Sequence, residues 1–304
     1  MALSIFTSGA AMSSTNALNK SNSILSTAME RLGTGKRINS AADDAAGLQI
    51  ATRLQGQVNG MGVAQRNVAD STAMLQTAEG AFEEVTNILY RMKDLATQAA
   101  NDTNGTKERD ALQAETGELN KELANILTKT KYAGEDLIFS MGAGGATFSA
   151  TGGKLGKEMS FQIGADKSES LKLDLTKQGA GGATNLMDKL DQGFGFTTPT
   201  AGVASIKLDT GANAGAAIDT ITTALETVGS VRSSLGANIN RLGHTAANLA
   251  NMKDNTTLAL GNIRDADFAT EATNMTRNQM LAQTSMSMLK QANSMSGMVM
   301  SLLG

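Results

Sequence analysis

Site chemistry needs groups that exchange protons, donate electron pairs or hold metals, and this sequence is short of them. His244 is the only histidine and there is no cysteine. A zinc site of paired histidines, a Ser-His-Asp arrangement and every thiolate reaction are therefore excluded together. Asp43 and Asp44 are adjacent carboxylates, a pattern that can move protons. No histidine or third carboxylate stands beside them, and they follow Ser40 ahead of a long apolar-periodic stretch. That reads as helix capping, with Ser40 as N-cap and the aspartates as an acidic first turn. Glycine-rich runs at 142–145 and 179–182 never reach the phosphate-binding pattern G-x-x-x-x-G-K-[ST]. Gly56 and Gly60 have a spacing that allows close helix contact. Met275, Met280, Met286, Met288, Met295, Met298 and Met300 are the residue type of a soft-metal or haem surface. However, Met288 and Met295 keep the phase of neighbouring leucines, so the group reads as packing. No cofactor is expected, and the chain is read as not an enzyme.

The elements that carry these residues are helices. Across residues 42 to 100, which contain no proline, one apolar stripe returns every seventh position at Leu54, Met61, Val68, Leu75, Phe82, Leu89 and Ala96. A second stripe at Val58, Thr72, Ala78, Val85, Met92 and Ala99 falls on the same side. The spacing predicts a single helix roughly 85 Å long. The turn chemistry of N-D-T-N-G-T at 101–106 sends a shorter helix back along it, with Leu112, Leu119, Leu123, Ile126 and Leu127 as its apolar set. From residue 137 to 175 the period changes to alternation, at Met159, Phe161, Ile163 and at Leu171, Leu173, Leu175, which predicts short β-hairpins. Residues 176 to 212, with the only proline, Pro199, read as a loop too small to form its own core. A second long helix follows, on Ile221, Val228, Leu235, Leu242, Leu249, Thr256 and Ile263. The two ends repeat the theme more weakly, with Leu18, Leu25 and Leu32 near the N-terminus and Leu281, Met288, Leu289, Met295, Leu302 and Leu303 near the C-terminus. Those ends should pair with each other. The N-terminal segment, diluted by Ser, Thr and Asn, buries too little to hold a helix except against a partner.

The expected fold is therefore mainly α: long antiparallel helical rods in a coiled-coil-like bundle, a small β-hairpin region, and paired terminal helices. Its divisions are 1–41, 42–175, 176–212, 213–263 and 264–304. Of the 304 residues 41% are hydrophobic but only 3% aromatic, with no tryptophan and 17 methionines, a palette for helices packed side by side. A net charge of -3 offers no basic stripe for nucleic acid. No apolar run is long enough to span a membrane, and the first twenty residues lack the basic and apolar regions of a cleaved signal. A protein exported without a cleaved signal and a cytosolic coiled-coil adaptor both fit these observations.

Motifs in order along the chain narrow the choice. E-R-L-G-T-G-K-R-I-N-S-A-A-D-D-A-A-G (30–47), Q-T-A-E-G-A (76–81), F-Q-I-G-A (161–165), R-S-S-L-G-A-N-I-N-R-L (232–242), I-R-D-A-D-F-A-T-E (263–271) and the closing S-L-L (301–303) closely resemble those of bacterial flagellin. The resemblance implies an extracellular filament subunit for swimming motility that polymerises with itself, with terminal segments forming an inner tube and Leu18, Leu25, Leu32, Leu281, Met288, Leu289, Met295, Leu302 and Leu303 as its polymerisation seam. It implies export unfolded through the flagellar type III apparatus, an export chaperone on the C-terminal segment, a filament cap and hook-associated proteins as partners. It also implies a patch for a host toll-like receptor at Leu89, Arg91, Leu95 and Glu115, where Tyr90, Lys93 and Asp94 depart from the family pattern. A hook-filament junction protein of the same family shares the terminal seams and stays open as an alternative.

Overall fold

The computed structural model describes residues 9–141, 148–149, 153–174 and 206–303. Five helices dominate them: α1 (Gly9–Thr34), α2 (Ala45–Ala99), α3 (Thr106–Lys129), α4 (Gly211–Arg264) and α5 (Phe268–Leu303). Short antiparallel pairs join β1 (Lys131–Tyr132) to β2 (Glu135–Asp136), β3 (Ser140–Met141) to β4 (Phe148–Ser149), and β5 (Met159–Gln162) to β6 (Ser170–Leu173). Contacts divide the chain into two compact units, residues 59–252 and residues 1–58 with 253–304. Helices α2 and α4 contribute to both. The loop expected around Pro199, Leu175 and the two glycine-rich runs lie outside the described residues.

In the unit of residues 59–252 the seven-residue stripes of α2 do what the sequence predicts. Met61, Val68, Leu75, Phe82, Leu89 and Ala96 are buried, as are Ala78, Val85, Met92 and Ala99. Ile221, Val228, Leu235, Leu242 and Leu249 of α4 are buried too. Arg232 reaches Glu79 at 2.9 Å, and Gly211 lies beside Asp102 and Ala100, so α4 runs antiparallel to α2. Helix α3 returns along α2, as its turn demands. Arg109 ties the turn, donating from Nε to the Ala99 carbonyl at the open end of α2. Its buried face differs from the expected apolar set. Thr116, Asn120, Leu123 and Leu127 are buried, while Leu112, Leu119 and Ile126 are half-buried. Thr116 tolerates burial because its hydroxyl donates to the Leu112 carbonyl.

The hairpins begin earlier than the alternation suggests. Ala133 (φ 52) and Gly134 (φ 84) make the two-residue turn between β1 and β2, and Leu137, Ile138 and Phe139 behind it are fully buried. Hairpin β5–β6 rests on α2 through Asn67 Nδ2, which donates to the Gln162 carbonyl at 3.3 Å. Leu171 and Leu173 are its buried residues. Gly60 gives the hairpin room, since an added Cβ would stand 2.8 Å from that of Ala165, whereas one at Gly56 would meet nothing. The G-x-x-x-G spacing thus serves a helix-to-hairpin contact at one glycine only. The chain enters α4 through Gln113, whose amide accepts from Leu208 N–H at 2.5 Å and donates to the Ile206 carbonyl at 2.7 Å.

The cap of α2 is a correction. Ser40 is not its N-cap. The Asp43 carboxylate accepts from the backbone N–H groups of Asn39 and Ser40, closing a turn before the helix. The Asp44 carboxylate accepts from Gly47 N–H at 2.8 Å and is the true N-cap. A carboxylate three residues after a serine can bond backward as well as forward, and here it bonds backward.

Candidate functional site

The unit of residues 1–58 and 253–304 is built around one antiparallel pair, α1 and α5. Helix α1 ends because Gly35 takes a positive φ of 70 and donates its N–H to the Arg31 carbonyl. A short two-strand contact follows: Lys36 bridges Asp265, Arg37 N–H donates to the Arg264 carbonyl at 2.6 Å, and Ala266 N–H donates to the Gly35 carbonyl at 3.0 Å. Arg37 adds a side-chain bond to the Ile263 carbonyl at 2.8 Å. Asp267 then starts α5, accepting from the Thr270 hydroxyl and from the N–H groups of Ala269 and Thr270. Those bonds hold its carboxyl below the ordinary value. Arg31 reaches across to Glu271 at 3.0 Å and sets the register. The N-terminal segment, expected to need a partner, has one in its own chain.

What lies between the two helices is not the greasy seam the heptads suggest. The buried residues are Ser14, Ser21 and Ala28 on α1 and Glu271, Asn278, Ala282 and Ser285 on α5, small or polar groups that, Ala282 apart, stand at seven-residue steps. Leu18, Leu25, Leu32 and Leu289 are half-buried at the margins. Leu281, Met288 and Met295, also seven apart, are exposed, Met288 at 59%. The side chains of Leu302 and Leu303 lie outside the described residues. The pair is therefore arranged inside out, and short serines explain why: they let two helices approach closely, leaving the bulkier chains to point away.

Among the described residues, every exposed large apolar side chain except Val63, Tyr90 and Met252 belongs to this unit: Met12, Ile24, Met29, Ile50, Leu258, Phe268, Met280, Leu281, Met286, Met288 and Met295. Among its described residues the unit buries only Ala28, Ile38, Ala51, Leu260 and Ala282 of the apolar ones. Covering a half-exposed chain of this size would contribute on the order of 1 kcal/mol. Apolar side chains left exposed in this number on one unit point to an interaction surface. Sequence reasoning found Leu281, Met288 and Met295, but missed the polar stripe beneath them. Its signal was there, in the matching seven-residue spacing of Ser14 with Ser21 and of Asn278 with Ser285.

The four residues expected to form a receptor patch separate by depth. Arg91 on α2 and Glu115 on α3 are exposed and joined by two hydrogen bonds of 3.1 and 2.7 Å to one carboxylate oxygen. Leu89 and Leu95 are 0% and 2% exposed. The surface is thus the ion pair with exposed Tyr90 beside it, and the leucines hold it from within. His244 lies in an open groove of about 650 Å³ with Arg241, Glu169 and Leu249. No group of three metal-binding side chains occurs among the described residues, and none of their helices is long and apolar enough to cross a membrane.

Paired terminal helices that hold polar groups inside and apolar groups outside, in a chain whose other unit is a well-packed bundle, define a structural subunit made for association. Comparison with known proteins gives the family. Residues 5–141 match the bacterial flagellin N-terminal helical region and residues 218–303 the bacterial flagellin C-terminal helical region. The chain is 34% identical to polar flagellin B/D of Vibrio parahaemolyticus and 35% identical to flagellin A of Vibrio anguillarum, all of both chains being covered in each case. The first alignment runs over 383 positions against 304 residues here, so that relative carries residues this chain lacks. Among solved structures, Bacillus cereus flagellin matches 60% of this chain and 88% of its own at 29% identity, with a TM-score of 0.45. A chain described as a flagellar hook-associated protein of Vibrio parahaemolyticus matches 73% of this chain and 100% of its own at 16% identity, TM-score 0.54. That second likeness is one of fold alone. This chain belongs to the bacterial flagellin family. It is a structural protein, not an enzyme, and polymerises with itself into the extracellular flagellar filament.

Proposed function

We propose that the outward apolar faces of α1 and α5 form the polymerisation seam. Leu281, Met288 and Met295, with the half-buried Leu18, Leu25, Leu32 and Leu289 and the terminal Leu302 and Leu303, become dry when neighbouring copies of the terminal unit pack around them. The single observation that supports this is the concentration of exposed apolar side chains on that unit. Because the bonds between α1 and α5 are mainly polar, much of the driving force for ordering these ends is deferred to assembly. Head-to-tail repetition that does not close on itself generates a helical tube.

The resemblance to flagellins adds partners to this reading. Before assembly the same C-terminal face is held by an export chaperone as the chain leaves unfolded through the type III apparatus. The filament cap and hook-associated proteins meet the terminal unit at the two ends of the growing tube. The Arg91–Glu115 pair, supported from beneath by Leu89 and Leu95, is the contact for a host toll-like receptor.

The test is the double variant Leu281→Lys and Met288→Lys, together with deletion of residues 293 to 304. Soluble subunits that form no fibres are the expected result, with helix content unchanged in the double variant and lower in the deletion only by the residues removed from α5. Fibres growing at the unaltered rate from either variant would count against the seam.

A further inference from the structure

Methionine is placed in two contrasting environments along this chain. Met61, Met74 and Met92 are buried in the unit of residues 59–252, Met92 at 0% exposure. Met280, Met286, Met288 and Met295 on α5 are 47–59% exposed. There is no cysteine to intercept an oxidant first. A thioether is the most readily oxidised group left, and its reactivity follows access.

We propose that Met288 and Met295 are oxidation sites through which a small two-electron oxidant such as hydrogen peroxide blocks assembly of the free subunit, and from which assembled subunits are shielded. The proposal rests on the seam described above. In the reaction a sulfur lone pair attacks one peroxide oxygen, the S–O bond forms as the O–O bond breaks, and the departing hydroxide takes up the proton as water. Sulfur loses two electrons and peroxide gains them. The product sulfoxide is polar and rigidly dipolar where the seam needs an apolar, adaptable side chain. Buried in a dry contact without a donor to meet its oxygen, it disfavours that contact. Met288 and Met295 share the stripe of Leu281, so both would enter the same contact, whereas Met280 and Met286 lie off it. The lesion is reversible, because methionine sulfoxide reductases return the thioether.

The experiment uses the full-length chain. Isolated subunits and preformed filaments are treated with hydrogen peroxide, the oxidant is destroyed with catalase, and peptide mass spectrometry locates the sulfoxides. Growth from filament seeds is then followed by turbidity and electron microscopy. Free subunits should carry sulfoxide at residues 280, 286, 288 and 295 but not at 61, 74 or 92, should fail to elongate seeds, and should recover after reductase treatment. Filaments should be spared at 288 and 295. The double variant Met288→Leu with Met295→Leu, compared with the same variant left untreated, should lose no elongation on treatment, although Met280 and Met286 are still oxidised. Oxidised wild-type subunits that elongate normally, or a leucine variant that loses as much elongation on treatment as the wild type does, would overturn the proposal. A parallel Met288→Lys variant separates the two readings. If it elongates normally, the seam itself is wrong; if it fails while fully oxidised wild type succeeds, only the methionine proposal falls.

Discussion

Arg31 and Glu271 stand 240 positions apart in the chain and 3.0 Å apart in the fold. Their bond fixes the register of α1 against α5, and Glu271 is buried. Truncating Arg31 to alanine leaves that carboxylate without its cation, at a cost of about 2 kcal/mol. Amide hydrogen exchange along α1 should quicken in Arg31→Ala, while α3 exchanges as before. Reversing both charges should restore part of the protection.

Depth separates the roles of Leu89 and Arg91. Leu89→Ala opens a cavity in the bundle and should lower unfolding free energy by about 3 kcal/mol, seen as a fall in thermal midpoint. Arg91 pairs with Glu115 at the surface, where such bonds contribute about 0.5 kcal/mol. Arg91→Ala should therefore unfold like the parent, yet give weaker signalling in reporter cells bearing the toll-like receptor. Unchanged signalling would remove the patch.

Asp44, not Ser40, caps α2. Asp44→Ala should cost about 1 kcal/mol and loosen the first turn from Ala45, whereas Ser40→Ala should cost clearly less. Circular dichroism during denaturant unfolding distinguishes the two.

Acid acts on the turns flanking the α1–α5 pair. Backbone N–H bonds from Ser40, then Asn39, hold the Asp43 carboxyl below its ordinary 3.8, and the Thr270 hydroxyl leads the bonds that do the same for Asp267. The unfolded chain takes up these protons near the ordinary value, the folded one only at lower pH. Their contribution is thus complete above 3.8 and is lost as pH falls through the depressed folded values. Asp43→Asn with Asp267→Asn should flatten the acid limb of the stability curve while leaving its shape near neutral pH alone.

Two glycines of α2 should respond in opposite senses. Gly56→Ala meets open space and gains helix propensity, about 0.8 kcal/mol. Gly60→Ala drives a methyl against Ala165, so strain offsets that gain and hairpin β5–β6 must shift. Chemical shifts of residues 160 to 166 report the movement.

Much of this molecule was legible in local pattern. The stripes through Leu75, Phe82 and Leu89, and through Val228, Leu235 and Leu242, require long helices wherever they fold, because residues seven apart share a face. The absence of cysteine and of a second histidine settled what chemistry is missing. Periodicity names a face, however, and says nothing of what covers it. Leu281, Met288 and Met295 look like any buried stripe, and only the register set by Arg31 with Glu271 turned Ser14, Ser21, Asn278 and Ser285 inward and the methionines out. The same holds for Leu89 and Leu95, which adjoin Arg91 in sequence but lie beneath it, and for Asp43, whose choice between capping forward and bonding backward depended on the turn it closes. Helix formation is decided by neighbours along the chain, while burial depends on partners hundreds of residues away, and that second decision belongs to the tertiary structure.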